Sequence, residues 1–240
     1  MPVRLRLLLV LVLSPLLVLT ASCGMNVQGP QDTIESGEPG QAPEPSGTGE
    51  AGDGSECEYV ADDNAAKEGI ELPPMSDVEH EGTATFTIHM EAGDVTITMD
   101  RARTPCTVNS FESLVAQKFY DDTACHRLVD SGIFVLQCGD PTGTGTGGPG
   151  YTYADETSPE DSYDRGTVAM ANAGPDTNGS QFFLVWDDSP LPPDYTVFGH
   201  MDEKSINVVA GIAAEGQDGS GSDGSGRPLN HAKITNVTKG

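Results

Sequence analysis

A chain of 240 residues with 36% hydrophobic and 20% charged side chains has room for one sizeable folded domain and some appended sequence. Its formal charge of −25, from 37 acidic and 12 basic residues, opposes phosphate binding and sets nucleic acid aside as a partner. The 29 glycines and 17 prolines point to many turns and at least one irregular segment.

At the start of the chain, Arg4 and Arg6 precede an almost wholly apolar run from Leu7 to Leu19. At about 13 residues it is shorter than the roughly 20 that span a membrane, and it fits the core of a secretory signal over residues 1–22. Thr20, Ala21 and Ser22 before Cys23 resemble a bacterial lipobox, although Thr20 stands where Leu is most common. That pattern implies cleavage before Cys23 and lipidation of Cys23. The expectation is a protein held by lipid on the extracytoplasmic face of a bacterial cell membrane, with ordinary cleavage and secretion as the alternative. Residues 23–56 read as a disordered acidic linker. They hold Gly, Pro, Ser, Glu and Asp without Lys or Arg, and cannot bury enough surface to offset their ordering entropy. A flexible chain of this length spans about 30 Å. Residues 57–79, with Pro73 and Pro74, read as an arm along a domain of residues 80–240.

The domain opens with alternating runs, Thr83 to Met90 and Val95 to Met99, joined by a turn at Glu91-Ala92-Gly93-Asp94: a hairpin. Pro105 starts a helix whose buried face is Val108, Phe111, Leu114 and Val115. Strand-like runs follow at residues 125–129, 133–138, 166–170, 181–185, 195–201 and 231–238. A second short helix is expected around Ile206 to Ala210, stopped by Gly211. Short strands in this number with two helices suggest a mainly β fold, a closed barrel capped at its ends.

Three stretches carry more than local structure. They are His126 to Val129 with Phe134 to Asp140, then Met170 to Phe183, then Tyr195 to Gly199. Together they look like the cyclophilin signature, in that family's order, over roughly residues 80–240. The resemblance implies an eight-stranded antiparallel β-barrel capped by two α-helices, and peptidyl-prolyl cis/trans isomerase activity. It implies that Arg127 is the catalytic arginine. Phe134, Phe183 and Leu191 would form the pocket for the proline ring, with Val135 where many members have Met. Gln137, Ala171, Asn172 and Gln181 would line the peptide groove, and Tyr195 falls where His is common. Pro190 stands where eukaryotic members often have Trp, and the segment from Arg127 to Phe134 is two residues longer than in many members.

These residue types suit the reaction. Amide resonance sets a rotation barrier of about 18–20 kcal/mol. At the twisted state that resonance is lost and the prolyl nitrogen becomes an acceptor. A guanidinium, always charged and rich in donors, binds that state better than the planar one. No nucleophile, metal or cofactor is implied. The expected partners are proline-containing segments of exported or membrane proteins, met by a monomer held to the membrane. A proline-binding module with little turnover would be signalled by loss of Arg127, which is present. An interaction protein working through its acidic linker is the third reading.

Other signals carry less. Gly143-Thr144-Gly145-Thr146-Gly147-Gly148 matches a dinucleotide fingerprint but lacks the following helix, and reads as a flexible loop rimming the groove. The five His lack ligand spacing, which argues against a metal site. The sequons at Asn178 and Asn236 are set aside because the export signal looks bacterial. His126 reads as a hydrogen-bonded interior residue. Besides Cys23, the chain has Cys57, Cys106, Cys125 and Cys138, an even number that favours disulfides in an exported protein. Strand alternation counts against a Cys125–Cys138 bridge unless a bulge intervenes, so all three pairings stay open.

Overall fold

The computed structural model describes residues 56–230 and 232–240. The signal segment, Cys23 and all of the expected linker except Glu56 lie outside the described residues.

Period-two alternation makes β2 (Thr83–Met90) and β3 (Gly93–Asp100) a hairpin in continuous register. Ala84, Phe86, Ile88, Val95, Ile97 and Met99 turn inward and are buried. Helix α1 (Pro105–Ala116) follows, with no side-chain cap from Thr104. Its free Cys106 and Thr107 N–H groups instead donate to the two carboxylate oxygens of Glu156, at 3.0 and 2.8 Å. An acid at this end also complements the helix dipole. Phe111 of α1 inserts its ring among Phe86, Tyr120, Phe182 and Phe198, at centroid distances of 5.0–6.0 Å.

The other strands of the same sheet are β4 (Thr123–Ala124), β5 (Arg127–Ser131), β6 (Ile133–Cys138), β8 (Thr167–Met170), β9 (Phe182–Val185), β10 (Val197–Met201) and β11 (Lys233–Lys239). With β2 and β3 they form one antiparallel sheet in the order β4-β11-β2-β3-β10-β8-β9-β6-β5. Nine strands stand in this sheet where eight are expected, because a further two-residue strand, β4, forms just ahead of the run expected at residues 125–129. β4 and β5 lie at opposite ends of the strand order and are joined in the chain through Cys125 and His126. The sheet is a curled half-barrel whose two end strands are consecutive in the chain but share no ladder among the described residues. The free edge of β5 is covered by mutual hydrogen bonds between Leu128 and Gly226.

That placement also corrects the alternation argument for the cysteines. Cys125 donates its N–H to Ala232 while His126 donates to Gln137, so the chain changes neighbour between two adjacent residues. The facing count restarts there. Cys125 turns into the buried interior alongside Cys138, and the two form a disulfide.

Helix α2 (Glu203–Ala214) is capped by Asp202, whose carboxylate accepts from the Ser205 N–H at 2.7 Å. It runs through Gly211 rather than stopping there. Ile212 and Ala213 beyond it are buried, and that burial outweighs the roughly 1 kcal/mol cost of an interior glycine.

The segment from Glu56 to Glu79 lies against this unit. Its β1 (Val60–Ala61) pairs with β7 (Tyr151–Thr152), and Tyr59 packs edge-on against Tyr151 and Tyr153. Cys57 is bonded to Cys106 at the start of α1, closing a sequence separation of 49. In the chain-entropy view a bridge of this span contributes about 2–4 kcal/mol. Replacing Cys57 and Cys106 together by Ser is expected to lower the unfolding free energy by about that amount, read in urea as a lower midpoint with an equal or steeper slope, since the released unfolded chain exposes more surface.

Candidate active site

Strands β8 and β9 are buried along both faces. Val168, Met170, Phe182 and Leu184 face the barrel interior. Ala169, Phe183 and Val185 face outward into a second apolar cluster with Val129, Val135, Tyr163 and Val197. Register then aligns the site. Arg127 lies opposite Gln137, Gln137 opposite Phe183, and Phe183 opposite Ala169, so one row crosses four strands. Neighbours in such a row sit about 5 Å apart.

On this outer cluster lies a cavity of about 170 Å³. Val135, Phe183 and Leu191 give it apolar surface, with Ile133, Ala171 and Tyr195 beside them. Arg127, Gln137 and Asn172 supply its polar atoms. Phe183 is held edge-on by Tyr195 at 5.5 Å, and buried Tyr163 braces both. The Tyr163 hydroxyl accepts from the Tyr195 N–H and donates to the Tyr195 carbonyl, each at 2.9 Å.

Phe134 is not among the cavity residues. Ile133, Val135 and Gln137 share one face of β6, which turns Phe134 to the other, where its ring meets Trp186 at 5.0 Å. Ile133 takes the place expected for Phe134. Gln181 lies at the neighbouring cavity described below, and the structure brings the other expected binding residues together at the first one.

The polar groups form an ordered relay. Gln181 Nε2 donates to the carbonyls of Gly145 and Gly147 at 3.0 and 2.9 Å. Its oxygen accepts from Gln137 Nε2 at 2.9 Å, and Gln137 Oε1 accepts from Arg127 Nη1 at 3.2 Å. Arg127 also donates from Nε to Ser225 Oγ at 3.1 Å and from Nη2 to Asp223 at 2.7 Å. The Ser225 hydroxyl, and then the Arg127 guanidinium, hold the Asp223 carboxyl far below the usual range. Asp223 and Ser225 sit in a Gly/Ser/Asp stretch whose composition gives no sign of this role. Asn172 donates to the Asp194 carbonyl at 2.9 Å.

The loop after β6 is folded about one carboxylate. Buried Asp140 accepts from the N–H groups of Thr142, Thr144, Gly145 and Gly147 and from the Thr142 hydroxyl. Gly147 passes so close that a Cβ there would collide with Asp140. Burial works against the Asp140 charge, but these donors outweigh it and the carboxyl is held below its ordinary value. His126 departs from expectation, since both ring nitrogens are buried without a hydrogen-bond partner among the described residues. Burial depresses its pKa and favours the neutral ring.

Beyond Gln137, Ala171 and Asn172 the groove continues into a second cavity of about 330 Å³. Its walls are the Asp140 loop from Gly145 to Pro149, the Thr177 to Gln181 segment, and Asp62 and Asn64 of the N-terminal arm. Among the described residues there is no group of three or more His, Cys, Asp or Glu placed to hold a metal ion.

A family profile described as "Cyclophilin type peptidyl-prolyl cis-trans isomerase/CLD" matches residues 85–239. A Mycobacterium tuberculosis protein named "Probable peptidyl-prolyl cis-trans isomerase B" is 42% identical over 199 residues, covering 77% of this chain and 64% of that protein. Its Mycobacterium leprae namesake is 43% identical over 185 residues, covering 71% and 63%. The chain thus spans just under two thirds of the length of these relatives. A crystal structure of a Cryptosporidium parvum cyclophilin type peptidyl-prolyl cis-trans isomerase superposes with a TM-score of 0.58 at 30% identity, covering 66% of this chain and 98% of that one.

The Asp140 loop yields a pH test. With its folded pKa below the unfolded value of about 3.9, the Asp140 contribution is complete above that value and is lost as pH falls through the folded one. Asp140→Asn turns an amide N–H₂ toward N–H donors and is expected to cost about 2–3 kcal/mol at pH 7. The difference from wild type, measured by urea unfolding, should narrow as pH falls below about 4. An equal difference at pH 7 and pH 3 would contradict the ionised-carboxylate account.

Proposed function

Because the chain belongs to the cyclophilin-type peptidyl-prolyl cis-trans isomerase family, we propose that it accelerates X–Pro isomerisation in exported proteins, with Arg127 stabilising the twisted amide. The observation that carries this reading is the cross-strand row, which sets the Arg127 guanidinium at the lip of an apolar cavity floored by Phe183.

X–Pro isomers differ by only about 0.5–1 kcal/mol yet exchange over tens of seconds or longer, so the obstacle is the barrier alone. The cavity immobilises the ring while the preceding carbonyl swings. As resonance breaks, the prolyl nitrogen gains a lone pair and an N–H of Arg127 donates to it. Of the five guanidinium N–H groups, Ser225, Gln137 and Asp223 engage three. Two remain for the substrate, on a fork already held in place, so little reorganisation is needed at the moment of reaction. No proton changes hands, and neutral His126 is not needed as a base.

The export reading rests on the signal-like residues 1–22 and on the small-residue run ending at Cys23. We propose that Cys23 carries lipid and holds the isomerase on the extracytoplasmic face of the membrane. Its clients would be proline-containing segments of exported or membrane proteins.

Arg127→Ala is expected to preserve the fold and lower kcat/KM by about 10²–10³, measured in a proline-isomer-coupled peptide assay with circular dichroism as the fold control. A folded mutant that keeps half the activity would rule out the arginine mechanism. Cys23→Ala is expected to move the protein from the membrane fraction to the soluble or secreted fraction. Mass spectrometry of the mature wild-type N-terminus provides the check, since an unmodified terminus at any other residue defeats the anchor.

A further inference from the structure

The N-terminal arm precedes the residues that the family profile matches, yet it forms part of the groove. Its backbone is fixed there by three hydrogen bonds: Asp62 N–H to the Gly150 carbonyl at 2.9 Å, Gly148 N–H to the Asn64 carbonyl at 3.0 Å, and Ala66 N–H to the Gly148 carbonyl at 2.8 Å. The Cys57–Cys106 bridge and the buried ring of Tyr59 hold the stretch from its other side. Asp62 Oδ1 accepts from the Asn64 N–H at 2.8 Å, which sets the carboxylate in an Asx turn at the cavity wall.

Asp62 is the one charged residue among those lining this second cavity, and no Lys or Arg lines it. The cavity shares Gln137, Ala171 and Asn172 with the proline pocket, so a peptide seated by its proline would pass a side chain into it. An extended chain advances about 3.3 Å per residue, which places that side chain within about three residues of the proline. The chain's net charge of −25 also draws cationic segments toward it.

We propose that Asp62 makes the arm a specificity element selecting substrates with Lys or Arg within about three residues of the proline. This deepens the isomerase reading and depends on it only for the rate measurement.

The test uses the mature full-length chain and Ala-based proline peptides carrying Lys, Ala or Glu at each of three positions on either side of the proline. Lys at one position, or at two neighbouring ones, is expected to raise kcat/KM over Ala by about two- to fivefold at low salt. The gain should fade as ionic strength passes about 0.15 M. Asp62→Asn retains an oxygen for the Asn64 N–H but removes the charge, and the Lys-to-Ala ratio should fall to about one. Asp62→Lys should turn the preference toward Glu. Absence of a Lys gain at every position, or a gain that survives Asp62→Asn, overturns the proposal. If no peptide is turned over, the isomerase reading is the one that fails, and calorimetric binding of the same peptides then decides the Asp62 proposal by the same ratios.

Discussion

Two consecutive large apolar residues on a strand can both be buried only if both faces of the sheet are covered. Phe182 and Phe183 impose that condition at the centre of this fold. The barrel interior, filled by Phe111 and its aromatic neighbours, takes Phe182. Phe183 needs a separate cover, and Tyr163, Leu191 and Tyr195 supply it from outside the strands. The smaller cavity is the part of that cover left unfilled by the chain's own side chains. Binding there completes an apolar layer that the strand pattern already requires, which is why the pocket floor and the fold cannot be varied separately.

The polar half of the site follows from a second condition, the direction of donors. The Asp140 carboxylate gathers N–H groups of its loop, and the Gly145 and Gly147 carbonyls meet Gln181. Those carbonyls orient the Gln181 amide, which orients Gln137, whose oxygen then faces Arg127. Each link leaves the next a single sensible orientation. A buried anion thereby governs the aim of an arginine that it never touches.

Much of this was legible in residues 80–240. The alternation of Thr83 to Met99 and the helical spacing of Val108 to Val115 correspond to elements that form where their local patterns place them, and the Met170 to Phe183 stretch runs from the end of β8 to the start of β9 beside the cavities. What escaped depends on contacts distant in sequence. Nothing local marks the change of neighbour at Cys125-His126, which decides a disulfide. Phe134 and Ile133 exchange roles because only pairing with β5 and β9 settles which face of β6 looks outward. Gly211 signals a stop, but burial of Ile212 and Ala213 overrides it. Asp223 and Ser225 lie in a stretch of low complexity, and Asp62 and Asn64 in an arm without period, so their composition could not show that they face the groove.

The position of the Cys57–Cys106 bridge has a mechanical consequence. Cys57 lies at the second of the described residues, ahead of β1 and of both arm side chains in the groove wall. Tension arriving from the N-terminal side enters at Cys57 and crosses the covalent bond to the first turn of α1. The stretch from Glu58 through Val78 lies in a longer, more compliant path beside that short covalent one, so the bridge takes most of the pull. The disulfide thereby shields the backbone ladder that seats Asp62 and Asn64 from a pull applied at Cys57.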